Sequence, residues 1–161
     1  GVEAAICDLF AYGVATVGAF GIVTLVRDAS GEVGDLNRWS GLGKRAPLLA
    51  SAFAFFLLAF AGIPLTSGFI GKFSIFSAAY ESGSTSILIA GVLSSAVAAF
   101  FYARVIVLMF FTEPPVDGPS VVVPSALTTI AIAVSATFTI LLGIAPQPVL
   151  DLVINAGLFI R

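Results

Sequence analysis

Long apolar runs separated by short polar stretches dominate the chain. The runs lie at about residues 5–26, 46–80, 86–111 and 121–145. A membrane crossing takes roughly 20 apolar residues, so the first, third and fourth runs each fit one span. The polar stretches between them are Arg27–Arg45, Glu81–Thr85 and Thr112–Ser120. The pattern predicts an all-α membrane protein of four transmembrane helices.

The second run does not fit a single regular helix. As one helix, residues 46–80 would extend about 50 Å at ~1.5 Å per residue, against a hydrocarbon core of about 30 Å. Two hairpinned spans would need about 40 residues and a turn. The economical solution is one discontinuous span, broken near Gly62–Gly68. Pro64 sits in the middle of the run, flanked by Gly62, Thr66, Ser67, Gly68 and Gly71. Proline removes a backbone donor and clashes with the preceding turn. In lipid the freed groups must find partners on other helices or in a water-filled cavity. Lys72 is the sole charge in this run. It stands nine residues before Glu81, about 13 Å inside the span. An intramembrane lysine beside a broken helix is a candidate functional site. The alternative is a proline kink with a lysine that snorkels to the surface.

Small residues recur every four positions in the other runs: Ala11, Ala15 and Ala19; Gly91, Ser95, Ala99 and Ala103; Ala131, Ser135, Thr139 and Gly143. Such stripes let membrane helices approach closely and predict which faces meet protein. Asp8, at the mouth of the first run, is expected at the membrane interface. Arg104, eight residues before Thr112, is expected to snorkel. Trp39 fits an interfacial anchor. Residues 35–45 suggest a short surface helix, weakened by Gly41 and Gly43. Residues 149–161 suggest an amphipathic surface helix, with Asp151 capping or solvating it.

Composition supports the membrane reading. Of 161 residues, 59% are hydrophobic and only 10% charged, where a soluble domain carries about 25% charged residues. A net charge of -2, thinly spread, gives no basic surface for nucleic acid. With no histidine and one cysteine, Cys7, the sequence offers neither a disulfide framework nor a haem, iron–sulfur or zinc ligand set. Four of the seven Lys/Arg residues lie in loop 27–45, which the positive-inside rule puts in the cytoplasm. Loop 112–120 then faces the same side, and loop 81–85 the other. The chain opens on Gly1, its sole methionine is Met109, and no basic stretch precedes the first run. We expect a piece of a longer chain, from its C-terminal end, without a signal peptide.

The stretches GLGKRAPLLA (41–50) and AGIPLTSGFIGKF (61–73) resemble the antiporter-like membrane subunits of proton-pumping NADH–quinone oxidoreductase, respiratory complex I, and most closely its subunit N branch. YGVATVGAFGIVTLV (12–26), GDLNRWSGLGKR (34–45), FFYARVIVLMFF (100–111) and LLGIAPQPVLDL (141–152) extend the resemblance over nearly the whole chain. M-type relatives tend to carry glutamate where Lys72 stands, and L-type relatives differ in the flanks. The resemblance implies a fourteen-helix antiporter-like fold, of which this chain would supply helices eleven to fourteen. The discontinuous helix would be the twelfth, with Lys72 as its proton-carrying residue. It implies a bacterial inner (plasma) membrane location, adjacent M-type and K-type subunits, and surrounding lipid. The complex uses FMN, iron–sulfur clusters and quinone on other subunits; this chain binds no cofactor.

The function expected is therefore proton translocation coupled to quinone reduction, with no redox chemistry in this chain. The alternatives are a membrane subunit of a multi-component Na⁺/H⁺ antiporter or membrane-bound hydrogenase, and a purely structural helix bundle.

Overall fold

The computed structural model describes residues 2–145 together with 147, 148, 151 and 155. The element order is α1 (Val2–Val23), β1 (Val26–Asp28), β2 (Gly31–Glu32), a 3-10 turn (Leu36–Trp39), α2 (Leu42–Arg45), α3 (Pro47–Ala61), α4 (Ser67–Glu81), α5 (Thr85–Phe111), β3 (Ser120–Val121) and α6 (Ala126–Ile144). By length and composition, α5 and α6 can each cross a membrane; α3 is apolar but shorter. The expected tail helix at 149–161 falls largely outside the described residues. Asp151 is exposed.

Two runs are trimmed relative to the sequence reading. The first leaves its helix at Val23, because Thr24–Asp28 turns into a strand. The fourth begins as strand β3 and enters its helix only after Pro124, with the Ser125 side chain accepting from the Thr128 amide at 3.2 Å. The β-branched residues Val26 and Val121 suit the pleated surface. β1 pairs antiparallel with β2 across the two-residue turn Ala29–Ser30, and Val26 faces Val121 on β3. The small sheet was not anticipated, because each strand is too short to show a period of two.

The sheet ties loop 27–45 to loop 112–120. Arg38 pairs with the Asp28 carboxylate and donates to the Asp117 carbonyl at 2.8 Å. Lys44 meets Glu113 at 2.5 Å, and Arg45 donates to the Pro119 carbonyl at 2.9 Å. Both loops therefore lie at the same end of the bundle. Three of the four basic residues of loop 27–45 are engaged in holding its acidic neighbour. Trp39 is corrected here. It is not a surface anchor but a buried residue, its ring tilted against Phe53 at 5.0 Å, with Nε1 donating to the Val33 carbonyl at 3.3 Å. Residues 35–45 form the 3-10 turn and one turn of helix, separated at Gly41, whose φ of 66° is left-handed and whose Cα faces the Pro114 backbone.

Successive contacts fix the helix directions. α1 meets α3 and α4 in descending order: Gly18 lies against Phe56, Tyr12 against Phe60 and Asp8 against Gly71. α5 descends likewise, with Phe110 on Gly43, Tyr102 on Phe60 and Gly91 on Phe76. α3 and α4 thus continue in one direction, with α1 and α5 running antiparallel past the gap between them. α6 runs alongside α1, Ile132 on Gly21, and brings Gly143 against the backbone of Leu65 and Thr66.

The small-residue stripes face protein. Ala11, Ala15 and Ala19 are buried, as are Ser135 and Thr139; Gly91, Ser95 and Ala99 are half-buried. Ala103 departs from its stripe and is exposed. The α5 seam instead passes through Tyr102, Val105 and Met109, since a four-residue repeat drifts from 3.6 residues per turn. Outward faces carry Leu9, Phe20, Leu93, Val97, Phe100 and Leu127, all well exposed, which suits lipid or further helices rather than water. Arg104 is exposed on α5.

Candidate functional site at the helix break

Glycine, more than proline, ends α3. Gly62 adopts φ 80°, ψ 41°, left-handed values that cost glycine little. Its amide donates to Ala59 at 3.1 Å, and the Ile63 amide reaches the Leu58 carbonyl at 3.2 Å. That pair of bonds is the Schellman arrangement of a helix C-terminus. Pro64 follows two residues later, where it cannot resume the helix. Leu65 has φ 75°, an outlier for a bulky residue. It sits where Gly143 of α6 leaves room for its carbonyl. The Thr66 hydroxyl donates to the Ile63 carbonyl at 2.6 Å. α4 then begins at the buried Ser67.

A helix end leaves four carbonyls without intrahelical partners. In α3 these are Leu58, Ala59, Phe60 and Ala61. The first two are met by the Gly62 and Ile63 amides. The other two are met by Lys72, whose Nζ donates to Phe60 at 2.8 Å and to Ala61 at 3.1 Å. The ammonium thus sits at the negative end of the α3 dipole. It does not extend toward the end of its own helix, as snorkelling requires; it turns back to the break.

Glycines make this reach possible. A Cβ on Gly68 would run into the Ala59 carbonyl, and one on Gly62 would press on the Lys72 side chain at 2.9 Å. The first turn of α4 therefore lies directly against the last turn of α3. Of the residues singled out from sequence, Gly62, Thr66, Ser67, Gly68, Gly71 and Lys72 all gather at this point, and Pro64 lies in the linker.

Asp8 is corrected and joins them. It lies within α1, not at its mouth, and its Oδ1 occupies the space that a side chain on Gly71 would fill. That oxygen is buried without a hydrogen-bond partner. Asp8 and Lys72 are near enough for their charges to interact. They are not in direct contact; the ion pairs among the described residues are Arg38–Asp28 and Lys44–Glu113. One turn along α1, Tyr12 lies near Tyr102 of α5, and the Phe60 ring contacts both, at 5.2 Å and 5.8 Å. The sequence held a signal for both residues: Asp8 and Tyr12 are four apart on one helical face at the edge of an apolar run. Their meeting with α4 and α5 is tertiary and carries no local mark.

The arrangement offers a lysine held by neutral carbonyls, a carboxylate across a glycine notch, and two phenols, all flanked by apolar helices. Each of these side chains is of a type that binds and releases a proton, and no nucleophile–base pair occurs here among the described residues. Groups of three or more metal-ligating side chains do not occur among the described residues.

Residues 1–98 match the family model described as NADH:quinone oxidoreductase/Mrp antiporter, TM. Over its full length the chain is 61% identical to NADH-quinone oxidoreductase subunit N 3 of Streptomyces griseus and 58% identical to subunit N of Rhodococcus opacus, spanning 29% and 30% of those proteins. Among solved structures, a chain of respiratory complex I from Thermus thermophilus superposes with TM-score 0.79 at 27% identity, covering 92% of this chain and 34% of that one. The Mrp complex from Dietzia shares the fold, with TM-score 0.74 at 23% identity over 94% of this chain and 36% of its own. Matched by sequence over more than half its length and by backbone over nearly all of it, the chain belongs to the transmembrane family shared by NADH:quinone oxidoreductase and Mrp antiporters.

Proposed function

We propose that this chain is the C-terminal part of subunit N of a proton-pumping NADH:quinone oxidoreductase, and that the break between α3 and α4 is a proton-transfer point with Lys72 as the carrier. One observation carries the reading: the sole lysine of a long apolar segment turns back to the carbonyls that the break exposes. A charge at the bilayer centre costs at least ~2.5–3.5 kcal/mol on insertion scales. Two carbonyl acceptors offset part of that cost without fixing the proton, since neutral acceptors bind an ammonium less firmly than a paired carboxylate does. Lysine changes protonation state readily when desolvated.

The same reading takes α1, α3 with α4, α5 and α6 as four spans, helices eleven to fourteen of a fourteen-helix subunit. It places the protein in the bacterial inner membrane, beside M-type and K-type subunits, with flavin, iron–sulfur and quinone chemistry on other chains. The pairing of loops 27–45 and 112–120 supports a common side for both, and the basic residues of the first make it cytoplasmic. Single cysteines at Ser30 and Val116, in a Cys7-free background, should react with an impermeant thiol reagent from one side of sealed vesicles. One at Ser82 should react from the other. Labelling of Ser30 and Ser82 positions from the same side would defeat the four-span arrangement.

The family also contains Mrp antiporter subunits, so a cation-exchange complex is the second reading. The relatives named above favour the oxidoreductase. Affinity purification of the full-length protein in mild detergent should recover flavin- and iron–sulfur-containing partners with NADH-dehydrogenase activity. Recovery of a flavin-free cluster that exchanges Na⁺ for H⁺ would assign it to the antiporters.

A further inference from the structure

We propose that Asp8 is a second proton-carrying residue of this site, exchanging its proton with Lys72 across the notch at Gly71. The inference rests on the proposed role of Lys72 and extends it to a different helix.

Three observations converge on Asp8. Its Oδ1 is buried with no hydrogen-bond partner among the described protein groups, while the residue as a whole is half-buried; a carboxylate so placed needs water or a proton to offset its charge. The position opposite is Gly71, where any Cβ would occupy the place of that oxygen; the notch and the carboxylate fit each other. Gly71 is adjacent in the chain to Lys72, whose Nζ is held by carbonyls and not by another carboxylate. A structural aspartate in this environment would be expected to close an ion pair with the nearest lysine. Asp8 instead lies against Gly71, next to Lys72 in the chain, without closing an ion pair with it, which leaves the proton of either group free to exchange.

The exchange is a proton transfer alone. Protonated Asp8 and neutral Lys72 become carboxylate and ammonium as the proton moves from Oδ to Nζ, directly or through an intervening water; no electrons move. In the ammonium state Lys72 gains the charge-assisted bonds to Phe60 and Ala61. In the neutral state the amine loses that charge assistance, and Asp8, as a neutral acid, escapes the cost of an unpaired carboxylate. Among the described side chains, Tyr12 of α1 is the titratable neighbour of Asp8, and Tyr102 of α5 lies beside Tyr12. α3 and α6 bring none, and the remaining titratable groups of α4 are Tyr80 and Glu81 at its far end.

The test uses the full-length subunit in its assembled complex, reconstituted in vesicles. Asp8→Asn preserves shape and removes the exchangeable proton. It should assemble, oxidise NADH at the flavin site normally, and lose about a hundredfold in proton uptake rate, the low end of what a positioned acid–base group contributes. A carboxylic-acid C=O band that changes with pH in infrared difference spectra should vanish with it. If Asp8→Asn fails to assemble, Asp8→Glu gives the answer: pumping should slow and the band should shift as the acid moves by one methylene. An unshifted band there overturns the assignment. Wild-type pumping in Asp8→Asn, with Lys72→Met blocked, overturns the role of Asp8 alone. Wild-type pumping in both removes the proton site itself.

Discussion

Lys72→Met in the full-length subunit should leave the complex assembled and the flavin-site reaction intact, while proton uptake per NADH oxidised falls sharply. The loss should reach about a hundredfold in uptake rate, the lower end of what positioned acid–base groups supply. Quinone reduction should slow with it where the two are coupled. The structure explains why folding should survive. The variant strands the Phe60 and Ala61 carbonyls, at roughly 1–3 kcal/mol each for a buried unpaired group. It also removes an intramembrane charge whose insertion costs at least ~2.5–3.5 kcal/mol. The two changes are of similar size and opposite sign, so stability should move little while the exchangeable proton is gone. Lys72→Arg separates the remaining possibilities. Arginine can still bond both carbonyls and still carries the charge, but it does not deprotonate in proteins. If Lys72 served only to cap α3, arginine would restore function. A proton carrier predicts impaired pumping in both variants. Wild-type stoichiometry and rate in an assembled Lys72→Met complex would refute the proton-transfer reading.

The location of the break was legible because three signals coincide at residues 62–72. A run too long for one span, a Gly-x-Pro stop and a lone lysine each mark the same place. What ends the helix was less legible. Pro64 draws attention, yet Gly62 makes the turn and Pro64 only follows it. The packing stripes on α1 and α6 could be read from the four-residue repeat of small side chains, and on α5 that repeat failed at Ala103 as the helical phase drifted. The cap of paired loops was illegible, because two- and three-residue strands show no periodicity. Its partners, Arg38 with Asp28 and Asp117, lie up to 79 residues apart. The setting of Asp8 is illegible for a related reason. Position in the sequence set its depth near the start of an apolar run. Its environment is set by α4, and by the absence of a side chain at Gly71.

Gly68→Ala should be the most damaging of the single-methyl changes at the break. The added Cβ would fall on the Ala59 carbonyl oxygen. That oxygen belongs to the backbone and already accepts the Gly62 amide that closes α3, so it cannot swing aside as a side-chain tip can. Overpacking costs typically about 1–3 kcal/mol, and a backbone obstacle puts this site at or above the upper end. The strain is relieved only by moving α4 away from α3, which lengthens the reach of Lys72 to Phe60 and Ala61. Stability and pumping should therefore fall together, unlike in Lys72→Met, where pumping falls alone. Gly13→Ala is the matched control: it lies in α1 with no atom within 4 Å of the new methyl, and alanine favours the helix by about 1 kcal/mol over glycine. Thermal unfolding of the detergent-solubilised complex and proton uptake in vesicles should rank Gly13→Ala level with or above wild type and Gly68→Ala well below. Equal behaviour of the two variants would mean that α3 and α4 do not meet as closely as the Lys72 bonds require.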